Sequence, residues 1–176
     1  MMIAHAVQAR SSSTATAHLC KVMGMAFLEH KVPPPLVMLI VAALMWLANR
    51  LMGMGMPGGL WLIIAIVFAL LGIGVAVAGR NAFVKAGTTL NPINLNSATQ
   101  LVTTGIYQHT RNPMYLGMAL LLIGVALMFA NAWLLLGPVA FGLFIQRFQI
   151  RPEERVMQGK FGAAYQAYQQ RVRRWI

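Results

Sequence analysis

Four apolar runs, at 36–51, 60–78, 114–130 and 133–148, alternate with short polar breaks along this chain. Each approaches the ~20 residues that cross hydrocarbon, the first and last being short. Inside a bilayer only helices or closed barrels satisfy their own backbone, and runs this long predict helices. Val32-Pro33-Pro34-Pro35 leads into the first run, where proline costs nothing because the first turn leaves its amides unused. GMGMPGG at 53–59 breaks the chain before the second. Little more than Asn131-Ala132 separates the third from the fourth. So short a connection forces an antiparallel hairpin, and Gly117, Gly124, Gly137 and Gly142 are expected to let its two helices approach closely.

The period changes after the fourth run. Phe161, Tyr165, Tyr168, Val172 and Trp175 recur three or four apart, one face of a helix. Lys160, Arg171, Arg173 and Arg174 are expected to meet anionic lipid headgroups, so that the helix lies on the membrane surface. The fold expected is all-α and integral to the membrane: four transmembrane helices, the last two a tight hairpin, plus a C-terminal amphipathic cytoplasmic helix. Residues 1–30, with the small polar stretch ARSSSTATAH, read as a disordered or mis-assigned extension, Met23 and Met25 standing just before the apolar chain. Residues 31–176 are expected to form one domain.

Composition supports the membrane class. Of 176 residues 59% are hydrophobic and only 10% charged, against about 25% in soluble domains. Fourteen Lys and Arg face three acids, all Glu, for a net charge of +11. The basic residues stand beside apolar runs, which favours topology signals and anionic lipid over nucleic acid. Arg80, Lys85 and Arg111 fall in the connection 79–112, and seven more cations follow residue 146, but only Arg50 lies in 50–59. The 79–112 connection and both termini are therefore expected in the cytoplasm, with the chain multi-pass in the cell inner membrane. The lone Cys20 permits no disulfide or cysteine metal site within one chain.

Candidate chemistry sits at the boundaries of the last two runs. The connection 79–112 is long, and LVTTGIY within it is β-branched and apolar, so an ordered loop over the helix ends is expected. Arg111, just before the third run, reads alone as a snorkelling cation. Beside it stand Tyr107, His109, Asn112 and Tyr115, which together offer two rings, an imidazole, an amide and a guanidinium. Glu153 and Glu154 follow the fourth run. They either complement a helix dipole behind Pro152 or hold a cationic or hydroxyl-bearing ligand. A hairpin puts both sets at one membrane face. The methionines of MGMGM at 52–56 suit Cu(I), but no histidine accompanies them, and no metal is expected.

LVTTGIYQHTRNPMYLG followed by RPEERVMQGKFGAAYQAYQQRV resembles the isoprenylcysteine carboxyl methyltransferases and related phospholipid-type methyltransferases, integral membrane enzymes that use S-adenosylmethionine. The resemblance covers about residues 79–176, taken as the cofactor-binding core. It implies that Thr99, Gln100, Leu101 and Val102 line the adenosine side and that Tyr107 contacts cofactor. It further implies that Asn112, Pro113, Met114 and Tyr115 form the signature at the helix mouth, with Glu154, or Glu153, as the tail carboxylate. Arg151, with Arg147 behind it, is the nearest candidate for the family's substrate arginine. Asn112 replaces the signature histidine and cannot titrate near neutrality. The catalytic candidates are therefore Arg151, Glu153 and Arg111.

The resemblance implies methyl transfer from S-adenosylmethionine to an isoprenoid or lipid acceptor that arrives from the bilayer, at the cytoplasmic face. Two alternatives are an NADPH-dependent membrane reductase of the sterol-reductase type and a non-enzymatic membrane protein.

Overall fold

The computed structural model describes residues 32–55, 58–87 and 100–176, and the expected extension over 1–30 lies outside them. Among these residues the regular elements are helical. They are α1 (Pro34–Leu51), α2 (Gly59–Lys85), a 3-10 turn (Gly105–Gln108), α3 (Pro113–Met128), a second 3-10 turn (Ala132–Leu135), α4 (Leu136–Ile145), a π turn (Gln146–Ile150) and α5 (Arg151–Arg171). Three helical runs are long and apolar enough to cross a membrane: α1, α2 and the continuous run Ala132–Arg171. Helix α3 has 16 residues, about 24 Å at the usual rise. Leu39, Trp46, Leu60, Ile63, Leu70 and Leu143 stand exposed along α1, α2 and α4, so the bundle is built for a lipid surround.

Helix α2 runs seven residues past the expected end. GRNAFVK contains no breaker, and the helix stops only where Gly87 takes a φ of 63°, a conformation glycine adopts without a Cβ clash. Arg80 and Lys85 are thus helix residues and not part of a loop. Of the connection, 88–99 lies outside the described residues.

The closest helix pair is not the expected hairpin. The buried residues of α2 are Ala65, Gly72 and Gly79, a seven-residue repeat of small side chains. Gly117 and Gly124 of α3 repeat at the same interval and face it, antiparallel. A Cβ on Gly117 would lie 2.5 Å from the Gly72 carbonyl oxygen, and one on Gly124 would lie 3.0 Å from that of Ala65. In lipid, association rests on close backbone approach of this kind. This corrects the glycine reading. Gly117 and Gly124 serve the α2–α3 seam, Gly137 receives the Met45 side chain of α1, and Gly142 faces open space. The α3–α4 hairpin itself is present. Its apolar core gathers Tyr115, Leu122 and Ala126 of α3 and Phe129 just beyond it with Met45, Phe141, Ile145 and Ile150.

Helices α4 and α5 are one helical run. Pro152 lacks an amide hydrogen, and its ring would strike the carbonyl of Phe148 in a regular α-helix. The wider π turn over Gln146–Ile150 relieves that clash without breaking the run. Midway along α5, Gly162, at φ 49° and ψ −121°, bends the helix. The bend returns Tyr165, Tyr168 and Val172 onto Val102 and Tyr107 in a second buried cluster. The aromatic stripe therefore packs largely on the chain's own loop. Trp175 leaves it altogether, because the helix ends at Arg171 and Val172 is extended.

Candidate functional site at the mouth of the α3–α4 hairpin

Residues 100–112 are the part of the connection that the structure describes before α3. Val102 and Tyr107 are buried. The Tyr107 ring stands edge-on to Phe83 at the end of α2, with centroids 5.3 Å apart. The Tyr168 hydroxyl donates to the Tyr107 carbonyl oxygen at 2.7 Å. Burial, with the Tyr168 phenol and the Glu153 carboxylate nearby, pushes the Tyr107 phenol up from its ordinary value, so it stays neutral and can donate. Of the other loop candidates, Gln100 is exposed and Leu101 half-buried, while Thr99 lies outside the described residues.

Helix α3 begins at Pro113, wedged under Gly79. One turn in, the Tyr115 hydroxyl donates to Glu153 Oε1 at 2.5 Å. Glu154, next on α5, faces Arg111: Oε1 lies 3.1 Å from Arg111 Nη1, with side-chain exposures of 13% and 11%. The expected convergence is thus present. Arg111 before α3 and Tyr115 in its first turn each meet one of the two glutamates directly.

The Arg111 guanidinium is not saturated. Its Nε and Nη1 are buried without a hydrogen-bond partner. Nη1 is near enough to Glu154 for charge attraction but is not aligned to donate. The Tyr165 hydroxyl also reaches this guanidinium. A buried cation with unspent donors is costly unless something else pairs with it.

The C-terminal tail supplies a residue that local periodicity missed. Arg174 grips Glu154 with two parallel bonds, Nε to Oε1 at 3.0 Å and Nη2 to Oε2 at 2.6 Å. It is held by this carboxylate, where its place in a basic stripe suggested a freely solvated cation. The fork geometry is the strong form of this pair, and it pushes the Arg174 guanidinium up from its ordinary value. Asn112 does not cap α3 with its side chain. Its Nδ2 donates to the Arg174 carbonyl oxygen at 2.9 Å. Where the resemblance has a histidine, this chain therefore has an amide that anchors its tail. No short-range signal marks Arg174. The clue available was arithmetic: two adjacent buried acids need more than one cation.

Other candidates fall outside the cluster. Arg151 and His109 are exposed, and Met114 is half-buried behind Pro113. At the opposite end of the bundle, Asn131 Nδ2 donates to the sulfurs of Met52 and Met54 at 3.4 and 3.3 Å. Among the described residues no three His, Cys, Asp or Glu assemble as a metal site.

Fold and mouth together define a helical membrane protein with a buried zwitterionic cluster at one end. The profile of the phospholipid methyltransferase family matches residues 60–164, more than half the chain, and the protein belongs to that family. It is 33% identical over 99 residues to protein-S-isoprenylcysteine O-methyltransferase B of Arabidopsis thaliana, a match covering 53% of this chain and 49% of that enzyme. The chain thus spans about half the length of this relative. It is also 43% identical over 63 residues to an uncharacterized protein of Haemophilus influenzae, covering 36% of this chain and all of that one. No solved structure matches.

Proposed function

We propose that the protein transfers a methyl group from S-adenosylmethionine to a lipophilic acceptor, an isoprenoid or a lipid, at the membrane face where the α3–α4 hairpin opens. Family membership supports methyl transfer, as does the likeness to a plant methyltransferase. The observation that carries the cofactor is the mouth itself. Arg111 is buried with unspent donors, and Glu153 receives Tyr115. The amino-acid end of S-adenosylmethionine carries a carboxylate and an ammonium, so one cation and one carboxylate in a shielded cluster suit it.

Arg111 would pair with the cofactor carboxylate. Glu153 would take the ammonium or the ribose hydroxyls, with Tyr115 fixing its orientation. Tyr107 and Tyr115 would offer ring faces to the sulfonium or adenine, an attraction of ~0.5–2 kcal/mol. When bound, the cofactor supplies an electrophilic methyl on sulfur. The chain then aligns donor and acceptor and excludes water, which can provide much of the rate. A carboxylate acceptor needs no base, whereas an amine must lose its proton, and Glu153 would be the carboxylate to take it. Gln100, Leu101 and Val102 precede the 3-10 turn and remain the proposed adenosine side. The acceptor's chain would come from the bilayer and the cofactor from the cytoplasm, consistent with the cations of 79–112 and the tail.

The test is titration of S-adenosylhomocysteine and NADPH into detergent-purified protein. Saturable binding of the first, lost in Arg111→Gln, is expected. Preference for NADPH would overturn the assignment in favour of a reductase.

A further inference from the structure

Arg174 is fixed by backbone as well as by side chain. After Val172 the chain is extended and crosses the start of α3. The Arg111 amide donates to the Arg173 carbonyl oxygen at 3.1 Å. Asn112 Nδ2 and Thr110 Oγ1 both donate to the Arg174 carbonyl oxygen, at 2.9 and 3.4 Å. Beyond it, Trp175 Nε1 donates to Gln146 Oε1 at 3.2 Å. The guanidinium is thus delivered to Glu154 by a strap pinned on both sides.

Acceptor arithmetic then separates the two glutamates. A carboxylate offers about four lone-pair positions. On Glu154, Oε1 meets Arg174 Nε and Arg111 Nη1, and Oε2 meets Arg174 Nη2. Glu153 meets the Tyr115 hydroxyl. Charge arithmetic points the same way. Arg111 and Arg174 together balance Glu154 and Glu153, so Arg174 matches Glu154 and leaves the charge of Arg111 for the Glu153 side of the mouth. Without Arg174, Glu154 and Arg111 would form a neutral pair, and the carboxylate would be free to turn onto the unspent Nε and Nη1 of Arg111.

We propose that Arg174 is a positioning residue of the ligand site: by occupying Glu154 it keeps the Arg111 guanidinium available for an anionic ligand group. This rests on the cofactor reading above, in which that group is the carboxylate of the amino-acid end. Glu154 is then a structural counter-ion, and Glu153 is the carboxylate offered to ligand. Residues 173–175 become part of the site.

Two probes separate this from a general loosening of the fold. S-adenosylhomocysteine carries the amino-acid end, and 5′-methylthioadenosine lacks it. Arg174→Gln should weaken the first roughly tenfold or more, the worth of one charge-assisted contact, and leave the second within about twofold. Arg174→Lys should recover part of the loss. The double variant Glu154→Gln/Arg174→Gln should recover most of it, because the carboxylate that would quench Arg111 is gone, a non-additivity that only coupled residues show. Equal loss for both probes, no loss for either, or a double variant as weak as the single would overturn the proposal while leaving the cofactor assignment standing. Wild-type protein that binds neither probe would overturn both.

Discussion

Helix α3 carries two regions that solve opposite problems. Along its length Gly117 and Gly124 meet Gly72 and Ala65 so closely that a Cβ would strike backbone. At its first turn Tyr115 and its neighbour Arg111 meet two glutamates. The seam has no charge and no spare volume, and the mouth has buried charge and unspent donors. A seam of this kind fixes where the ends of α2 and α3 lie, to within the thickness of a methyl group. The mouth uses that rigidity, since Tyr107, packed on Phe83 of α2, and Tyr115 of α3 are held apart by it. Stability and function are thus expected to separate cleanly by substitution.

The largest effect should come from the seam. Gly117→Leu forces the helices apart, at a cost at or above the ~1–3 kcal/mol typical of overpacking. Thermal unfolding in detergent should drop sharply, and ligand binding should vanish with the fold. Next comes Glu153→Gln, which should lower methyl transfer about 100-fold or more, as loss of a charged ligand contact does, with little change in melting temperature. If its melting temperature fell as far as that of Gly117→Leu, the mouth would be structural and the contrast would fail. Tyr115→Phe removes one bond to a carboxylate and should cost roughly 10–100-fold in kcat/KM, in line with ~1.5–3 kcal/mol for a hydrogen bond to a charged group. Gly162→Ala meets open space but sits at φ 49°. It should destabilise the α5 bend by about 1–2 kcal/mol, read as faster proteolysis between Gly162 and the tail. The smallest effect belongs to Gly142→Ala, a helical glycine with nothing within 4 Å. It should leave melting and activity unchanged or slightly improved, which would confirm that the tight seam is α2–α3 and not α3–α4.

Much of the mouth was legible because a short turn leaves the chain little choice. Asn131 sits at the tip of the hairpin, where its side chain accepts from the Trp133 amide. Helix α3 and the run through α4 then bring residue 115 level with 153. That inference needed only helix geometry. The seam was not legible in the same way. Gly117 and Gly124 were visible as small residues, but sequence spacing does not say which neighbour they face, and the repeat that answers them, Ala65, Gly72 and Gly79, lies on a different run. The length of α2 was missed because the charged end GRNAFVK looks like loop, although nothing in it stops a helix before Gly87. The tail was misread for a related reason. A helical period extended through Val172 puts Trp175 on the aromatic face and Arg174 toward headgroups. The chain instead turns extended at Val172, where the pull of Glu154 and of the Thr110–Asn112 donors outweighs one more helical turn. Asn112, noted as a departure from the histidine signature, found its explanation in that same tail.

If the arginine–tyrosine–glutamate mouth is a ligand site with a cation in reserve, Arg111 must contribute directly to binding. The most direct measurement is calorimetric titration of S-adenosylhomocysteine into wild-type protein and into Arg111→Gln, each with its melting curve recorded. Saturable binding to the wild type, at least tenfold weaker in the variant at an unchanged melting temperature, is the predicted result. Equal affinity for both proteins would contradict it, because Arg111 would then contribute nothing to the ligand.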